Sequence, residues 1–365
     1  MWSQYKAKLT ACLCPPGNGV FTVNTGKERK YRLHEVLFNT TENIEPLWEA
    51  KLDELPNAGK AVMLGISSDC GGGILRGANW GPLFLRNALL DHYSELNTYD
   101  VGDVRVIPHL LHDKYLNDST IDNCKKALYQ DKQVEHYVAP LSITEDVARG
   151  FYENFPDKGL FGIGGDHSVS YPLTKAYLQA KKAQGKKAAI IHFDAHTDLL
   201  VERLGIDLCF GSWCTHILDD LPAPNHLIQI GIRSTGKSKE HWQNTFGVVQ
   251  HWASDVIEQG AATIAENILA QLKADGVDEL YVSFDVDAID SEFVAATGTP
   301  ETGGMTPEDA LLIINTLAEQ YPITGADIME IAPFLNTSLK EDGEPDTTLK
   351  VSADIAATLI KAMEK

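Results

Sequence analysis

AAIIHFDAHTD, residues 188–198, carries the reading that decides the fold. Its first six residues form an apolar run of strand length, broken only by His192, and the run ends abruptly in Asp194, His196 and Asp198. Runs of the same kind stand at 61–66, 160–163, 227–232, 280–284 and 325–331, most bounded by Gly, Asp or Asn and most followed by a stretch of helical character. A strand with polar residues on alternate positions has one wet face, whereas a continuously apolar strand is buried on both. Such strands alternating with helices indicate an α/β protein with a mainly parallel sheet covered on both faces. One helix start is explicit: Thr306 as N-cap, Pro307 at the first helical position, then Glu308 and Asp309 in the first turn. A closing helix is expected over 349–365. Residues 1–58 have mixed polarity and weak periodicity and read as an N-terminal extension, with 59–365 as one catalytic domain.

The chemistry-bearing residues cluster at the ends of three of these runs. FGIGGDHS (161–168) presents His167 after a glycine turn, IIHFDAHTD (190–198) carries Asp194, His196 and Asp198, and VSFDVDAID (282–290) carries Asp285 and Asp287. Ligands in open α/β sheets bind outside the carboxyl ends of strands, so the three segments are expected to meet at one edge. In an extended segment, side chains at i, i+2 and i+4 point the same way, which would align Asp194, His196 and Asp198, and likewise Asp285 with Asp287. Four carboxylates packed with two imidazoles repel one another in a cleft unless cations offset them. Two divalent ions balance the charge. An oxygen-rich set with one or two imidazoles suits Mn²⁺ better than Zn²⁺ and leaves Ni²⁺, Co²⁺ and Fe²⁺ open. His192 is in phase with Asp194 but lies further down the strand, and it reads as part of the strand or as a residue behind the ligands.

Composition limits the partners. With 31 Lys+Arg against 51 Asp+Glu the formal net charge is −20, which argues against nucleic acid and anionic membranes and mildly favours a cationic substrate. No run of eighteen apolar residues occurs, so no membrane span is expected. The six cysteines form no CxxC pair, which fits a reducing compartment, read as the cytoplasm.

At these residues the sequence resembles the ureohydrolase family of arginases, agmatinases and formimidoylglutamases. The matching segments are LRGANWGPLFLR (75–86), GGDHS (164–168), FDAHTD (193–198), SFDVDAID (283–290) with ATGTPETGGMT (296–306), and DIMEIAP (327–333), in the family's order. The resemblance, closest to agmatinases, implies a three-layer αβα, arginase-like fold. It also implies a site for two Mn²⁺ ions held by His167, Asp194, His196, Asp198, Asp285 and Asp287, while the ligand chemistry leaves Ni²⁺ or another divalent metal open. Glu330 matches the glutamate that holds the substrate's cationic head group, and Asp198 the residue expected to move a proton to the leaving amine. By analogy with the family, a homo-oligomer is expected.

The match weakens over DLCFGSWCTHIL (207–218), where Phe210 stands in place of the family's proton-shuttling histidine. His216 is the candidate replacement, and Trp213 a candidate for stacking on a cationic head group. The Asn/Ser-rich run with which arginases hold an α-carboxylate is missing, so arginine is not supported as substrate. Three functions stay in play: an agmatinase-like hydrolase releasing urea from a small guanidino compound, a formimidoylglutamase or guanidino-acid hydrolase, and a metal-binding subunit or regulator that has lost catalysis.

Overall fold

The computed structural model describes residues 2–20, 24–96, 98–335 and 347–365. Nine strands occur in chain order: β1 (Leu13–Cys14), β2 (Ala61–Gly65), β3 (Tyr99–Val104), β4 (Gly159–Ile163), β5 (Ala188–Phe193), β6 (Leu227–Ile230), β7 (Val249–His251), β8 (Glu279–Asp285) and β9 (Ile323–Met329). They form one sheet in the order β1-β3-β2-β4-β9-β8-β5-β6-β7, and only the β1–β3 pair is antiparallel.

Strand β5 shows why its run is apolar apart from His192. Ala189, Ile191 and Phe193 enter one core with Ile264 and Ile268 of helix Ala261–Asp275, Ile313 and Ile314 of Pro307–Gln320, and Ile355 and Leu359 of Thr348–Met363. The intervening Ala188 and Ile190 enter the other core with Phe151 of Pro140–Asn154 and Leu173 and Tyr177 of Ser170–Ala183. Helices on both faces of a mainly parallel sheet make the three-layer αβα architecture, as the sequence pattern implies. Thr306 caps Pro307–Gln320 as expected: its hydroxyl accepts from the Asp309 amide at 3.1 Å, and Asp309 returns the bond to the Thr306 amide at 3.2 Å.

The segment before residue 59 is folded onto the sheet. Helix Trp2–Cys12 buries Tyr5 and Leu9, β1 pairs along β3, and the buried Trp48 indole donates to the Val101 carbonyl at 2.9 Å. These contacts cover a sheet edge that would otherwise present unpaired backbone groups. Strands β1, β3 and β7 lie outside the six runs visible in the sequence. In β3 (YDVGDV) the two aspartates break the apolar pattern, and both are engaged by the buried Arg86. Among the described residues, no helix is long and apolar enough to cross a membrane.

Candidate metal centre

Four neighbouring strands, β4, β9, β8 and β5, deliver the chemistry from their carboxyl ends. His167 opens a short 3-10 turn after β4, Asp194 follows β5, Asp285 ends β8 with Asp287 in the next turn, and Glu330 follows β9. The aspartates do not converge by the extended-strand alternation expected from their spacing. Strand β5 stops at Phe193, Asp198 has a left-handed backbone (φ 50°), and Asp287 sits in a 3-10 turn. Turns, not pleats, therefore aim these side chains, and Asp285 and Asp287 part to serve two different places.

The first place is His167 Nδ1, with one carboxylate oxygen each from Asp194, Asp198 and Asp285 at 3.1 Å. The second is His196 Nδ1, with Asp194 at 3.3 Å and Asp287 at 3.2 Å. Asp194 belongs to both, one oxygen to each. All these residues are buried except His196, which is about a quarter exposed at 24%.

The orientation of His167 follows from its rear partner. Its Nε2 lies 3.1 Å from Ser283 Oγ, and Ser283 donates onward to Asp327 at 2.8 Å, whose other oxygen accepts from Tyr281 at 2.7 Å. With the Ser283 proton committed to Asp327, the imidazole keeps a proton on Nε2 and turns Nδ1 to the carboxylates. That Nδ1 is buried and has no hydrogen-bond partner among the described residues. A buried imidazole nitrogen facing three carboxylate oxygens needs a positive centre between them, either a proton or a metal cation. His167, His192, Asp194 and Asp198 form one group whose ligand atoms lie close enough to hold a divalent metal ion, and Asp194, His196 and Asp287 form another, so the two share Asp194.

The protonation balance tells the same story. Burial pulls His167 down, but Asp194, Asp198 and Asp285 outweigh it and raise it well above its ordinary value. Burial and the charge of Asp287 push Asp285 well up, and burial with Asp194 raises Asp198. Asp194 goes the other way: burial would raise it, yet His167, His192 and His196 together hold it well below the usual range. Without cations the group relies on borrowed protons for neutrality.

Glu330 also has a left-handed backbone (φ 65°) and is buried. Its Oε1 accepts from the His167 amide at 2.9 Å. A Cβ on Gly298 would stand 3.5 Å from its Oε2, in ordinary contact with that oxygen. Burial, then Asp285 and Asp166, raise Glu330 well above the normal carboxylate range.

Two expectations are corrected. Trp213 is fully buried, edges the rings of His167 and His192, and donates its indole N–H to Asp198 Oδ2 at 2.8 Å. It braces Asp198 and has no face free for a substrate. His216 is turned away: its Nε2 is bound to the Asp207 carbonyl at 2.8 Å and its ring edges Tyr171, so it does not join the cluster. The short 3-10 turn Trp213–His216 directs the two side chains to different neighbours. Phe210 lies beside Gly73, under the guanidinium of Arg203 at 5.0 Å. Thr299, which donates to Asp287 at 2.9 Å, and Arg203 were not singled out by sequence. Thr299 lay inside a quoted motif, whereas Arg203 sits in a loop without periodicity. Both line a cavity of about 350 Å³ together with His196, Asp198 and Phe210.

Comparison with known proteins agrees with this geometry. A family model described as the arginase family matches residues 59–362. The agmatinase of Enterobacter sp. (strain 638) is 36% identical over 183 residues, covering 50% of this chain and 54% of that protein. The mitochondrial agmatinase of Gallus gallus is 29% identical over 296 residues, covering 76% and 75%. The chain thus spans about half the length of the bacterial relative, at 54%, and more of the avian one, at 75%. In fold it is similar to the formimidoylglutamase of Bacillus subtilis, with TM-score 0.66 and 24% identity over 84% of this chain and 87% of that one. A hypothetical agmatinase from Burkholderia thailandensis gives TM-score 0.63 and 25% identity, covering 84% and 86%.

Proposed function

The chain belongs to the arginase family, and from that premise we propose that it hydrolyses a C–N bond of a small guanidino or amidino compound at a pair of divalent cations, in the manner of an agmatinase. The observation that carries the proposal is the meeting of six side chains, delivered by three strand ends, in two groups that share Asp194. His167, Asp194, Asp198 and Asp285 would hold one ion, and His196, Asp194 and Asp287 the other, with Mn²⁺ the first candidate and Ni²⁺ the second. Such a pair supplies Lewis acidity and activates water near neutral pH.

The remaining roles belong to the protein. Glu330 is raised by burial and then by neighbouring negative charge, so a cationic head group placed against it restores its ionised form and is held by it. Asp198, gripped by the Trp213 indole, is placed to carry a proton to the departing amine. Phe210 cannot transfer protons, and among the described residues no imidazole takes over its position, so proton transfer falls to Asp198. This catalytic unit is assigned to 59–365, with 1–58 as the segment that closes the sheet edge.

Arg203 favours a second reading. Its guanidinium lines the cavity beside His196 and Asp198 and has no carboxylate partner among the described residues. A cation at that mouth suits a substrate whose far end is a carboxylate, a guanidino acid or formimidoylglutamate, better than one ending in an ammonium. A substrate panel with Mn²⁺ and then Ni²⁺ tests both. Urea from agmatine supports the first reading, and urea or formamide only from the acids supports the second. Stoichiometric metal without turnover of any of them would overturn the proposal.

A further inference from the structure

Behind the metal-facing residues, three adjacent strands carry polar side chains where their neighbours are apolar. His192 on β5, Gln229 on β6 and Gln250 on β7 are register partners, His192 opposite Gln229 and Gln229 opposite Gln250. All three are buried, at 0%, 0% and 1% exposure. Buried amides and imidazoles in an apolar sheet are costly unless every polar atom is paired, so the pairing is informative.

The pairing has a direction fixed at both ends. An indole N–H can only donate, and Trp252 donates to Gln250 Oε1 at 3.0 Å. The Gln250 amide nitrogen therefore faces Gln229 and donates to its Oε1 at 2.8 Å. A backbone carbonyl can only accept, and Thr197 O lies 2.6 Å from Gln229 Nε2. Flipping the Gln229 amide would set two oxygens against each other there. Its second N–H then points at His192 Nδ1, 2.9 Å away. His192 must accept on Nδ1, so its proton sits on Nε2 and is donated to Asp194 Oδ2 at 2.9 Å.

The geometry points to Gln229 and Gln250 as positioning residues that lock His192 in the Nε2–H tautomer, so that it anchors Asp194, the carboxylate shared by the two ion sites, and serves as a donor and not as a ligand. The inference rests on the metal reading for its consequence, whereas the tautomer itself can be read in metal-free protein. Through the relay Asp194 is fixed by His192 from behind and by the His196 amide at 2.6 Å before any cation arrives. A carboxylate already oriented loses less freedom on coordination.

The test uses the full chain labelled with ¹⁵N-histidine. In the metal-free parent, two-bond ¹H–¹⁵N spectra should show the His192 ring, assigned by its absence in His192→Gln, as the Nε2–H tautomer. Gln229→Met, of similar length but without the amide, should shift that ring toward a mixture of tautomers. The same variant should weaken Mn²⁺ binding, measured by chelator competition, by about 10- to 100-fold. If Gln229→Met does not fold, Gln250→Met, remote from the cluster, should move both readouts in the same direction by a smaller amount. A parent ring with its proton on Nδ1 overturns the proposal. So does an unchanged tautomer and affinity in the folded glutamine variants, or a His192→Gln protein that holds one ion where the parent holds two. A parent that binds no Mn²⁺ refutes the metal reading separately, and the tautomer result then stands alone.

Discussion

If the cluster holds two cations, stripping and restoring them must change stability by a calculable amount. Asp198 and Asp285, two of the carboxylates around His167 Nδ1, are pushed toward protonation by burial and by neighbouring carboxylates, so the metal-free fold is the strained form. An ion that binds only the folded chain adds about 2.7 kcal/mol when its free concentration is about 100 times Kd. The entropy of unfolding is roughly 2 cal/mol/K per residue, which over 365 residues comes to about 0.8 kcal/mol/K. Each occupied site should therefore raise Tm by about 3–4 °C, and both together by about 7 °C. The assay is scanning calorimetry of chelator-treated protein titrated with Mn²⁺, beside Ni²⁺ and Mg²⁺. Asp287→Asn touches only the His196 group and should forfeit one step while keeping the other. Asp194→Asn touches both and should reduce both. An unchanged Tm on adding metal refutes the reasoning, as does an Asp194→Asn protein with the parent's full response.

Three further outcomes are expected. Trp213→Phe removes the indole donor from Asp198, a bond to a charged group worth about 1.5–3 kcal/mol, and should lower kcat by about 10- to 150-fold while metal content by elemental analysis stays at the parent level. Arg86→Ala leaves Asp100 and Asp103 as uncompensated buried charges, which should cost about 3–5 kcal/mol in urea denaturation; a loss below about 1 kcal/mol would show that these carboxylates find other partners. Burial pushes the Cys12 thiol up to about 12 and raises Cys70 and Cys124 less far, the latter two being only partly buried. Since the thiolate is the reactive form and its fraction grows as pH rises toward the pKa, DTNB should label Cys70 and Cys124 faster at pH 9 than at pH 7. Cys12, Cys14, Cys209 and Cys214 should react only on unfolding.

What could be read from sequence divides along a physical line. Strands β4, β5 and β8 announce themselves because burial on both faces keeps most of their residues apolar, and that requirement is local. Strand β3 escapes because Asp100 and Asp103 are tolerated only through Arg86, a residue on a helix, and no local pattern records that pairing. The ligand-type residues are equally visible by type and by position after strands, yet their directions are set by turns: Asp198 and Glu330 both occupy left-handed backbone, so counting i, i+2, i+4 finds the right residues for the wrong geometric reason. Trp213 and His216 were misassigned because the stretch from 199 to 212 has no helix or strand, and without a period a side chain's direction is undetermined.

The glutamine relay shows the remaining limit. LIQI and VQH each set a glutamine in a strand context, a local oddity open to anyone reading the chain. What turns two oddities into one device is the parallel register that sets Gln229 beside both Gln250 and His192, and register is a property of the assembled sheet. A one-residue slip of β6 would turn Gln229 to the opposite face, leave His192 Nδ1 without its donor and release Asp194. The pairing that stabilises the sheet is thus the same one that orients the shared carboxylate, so damage to that register should show first as lost metal affinity and only later as lost fold.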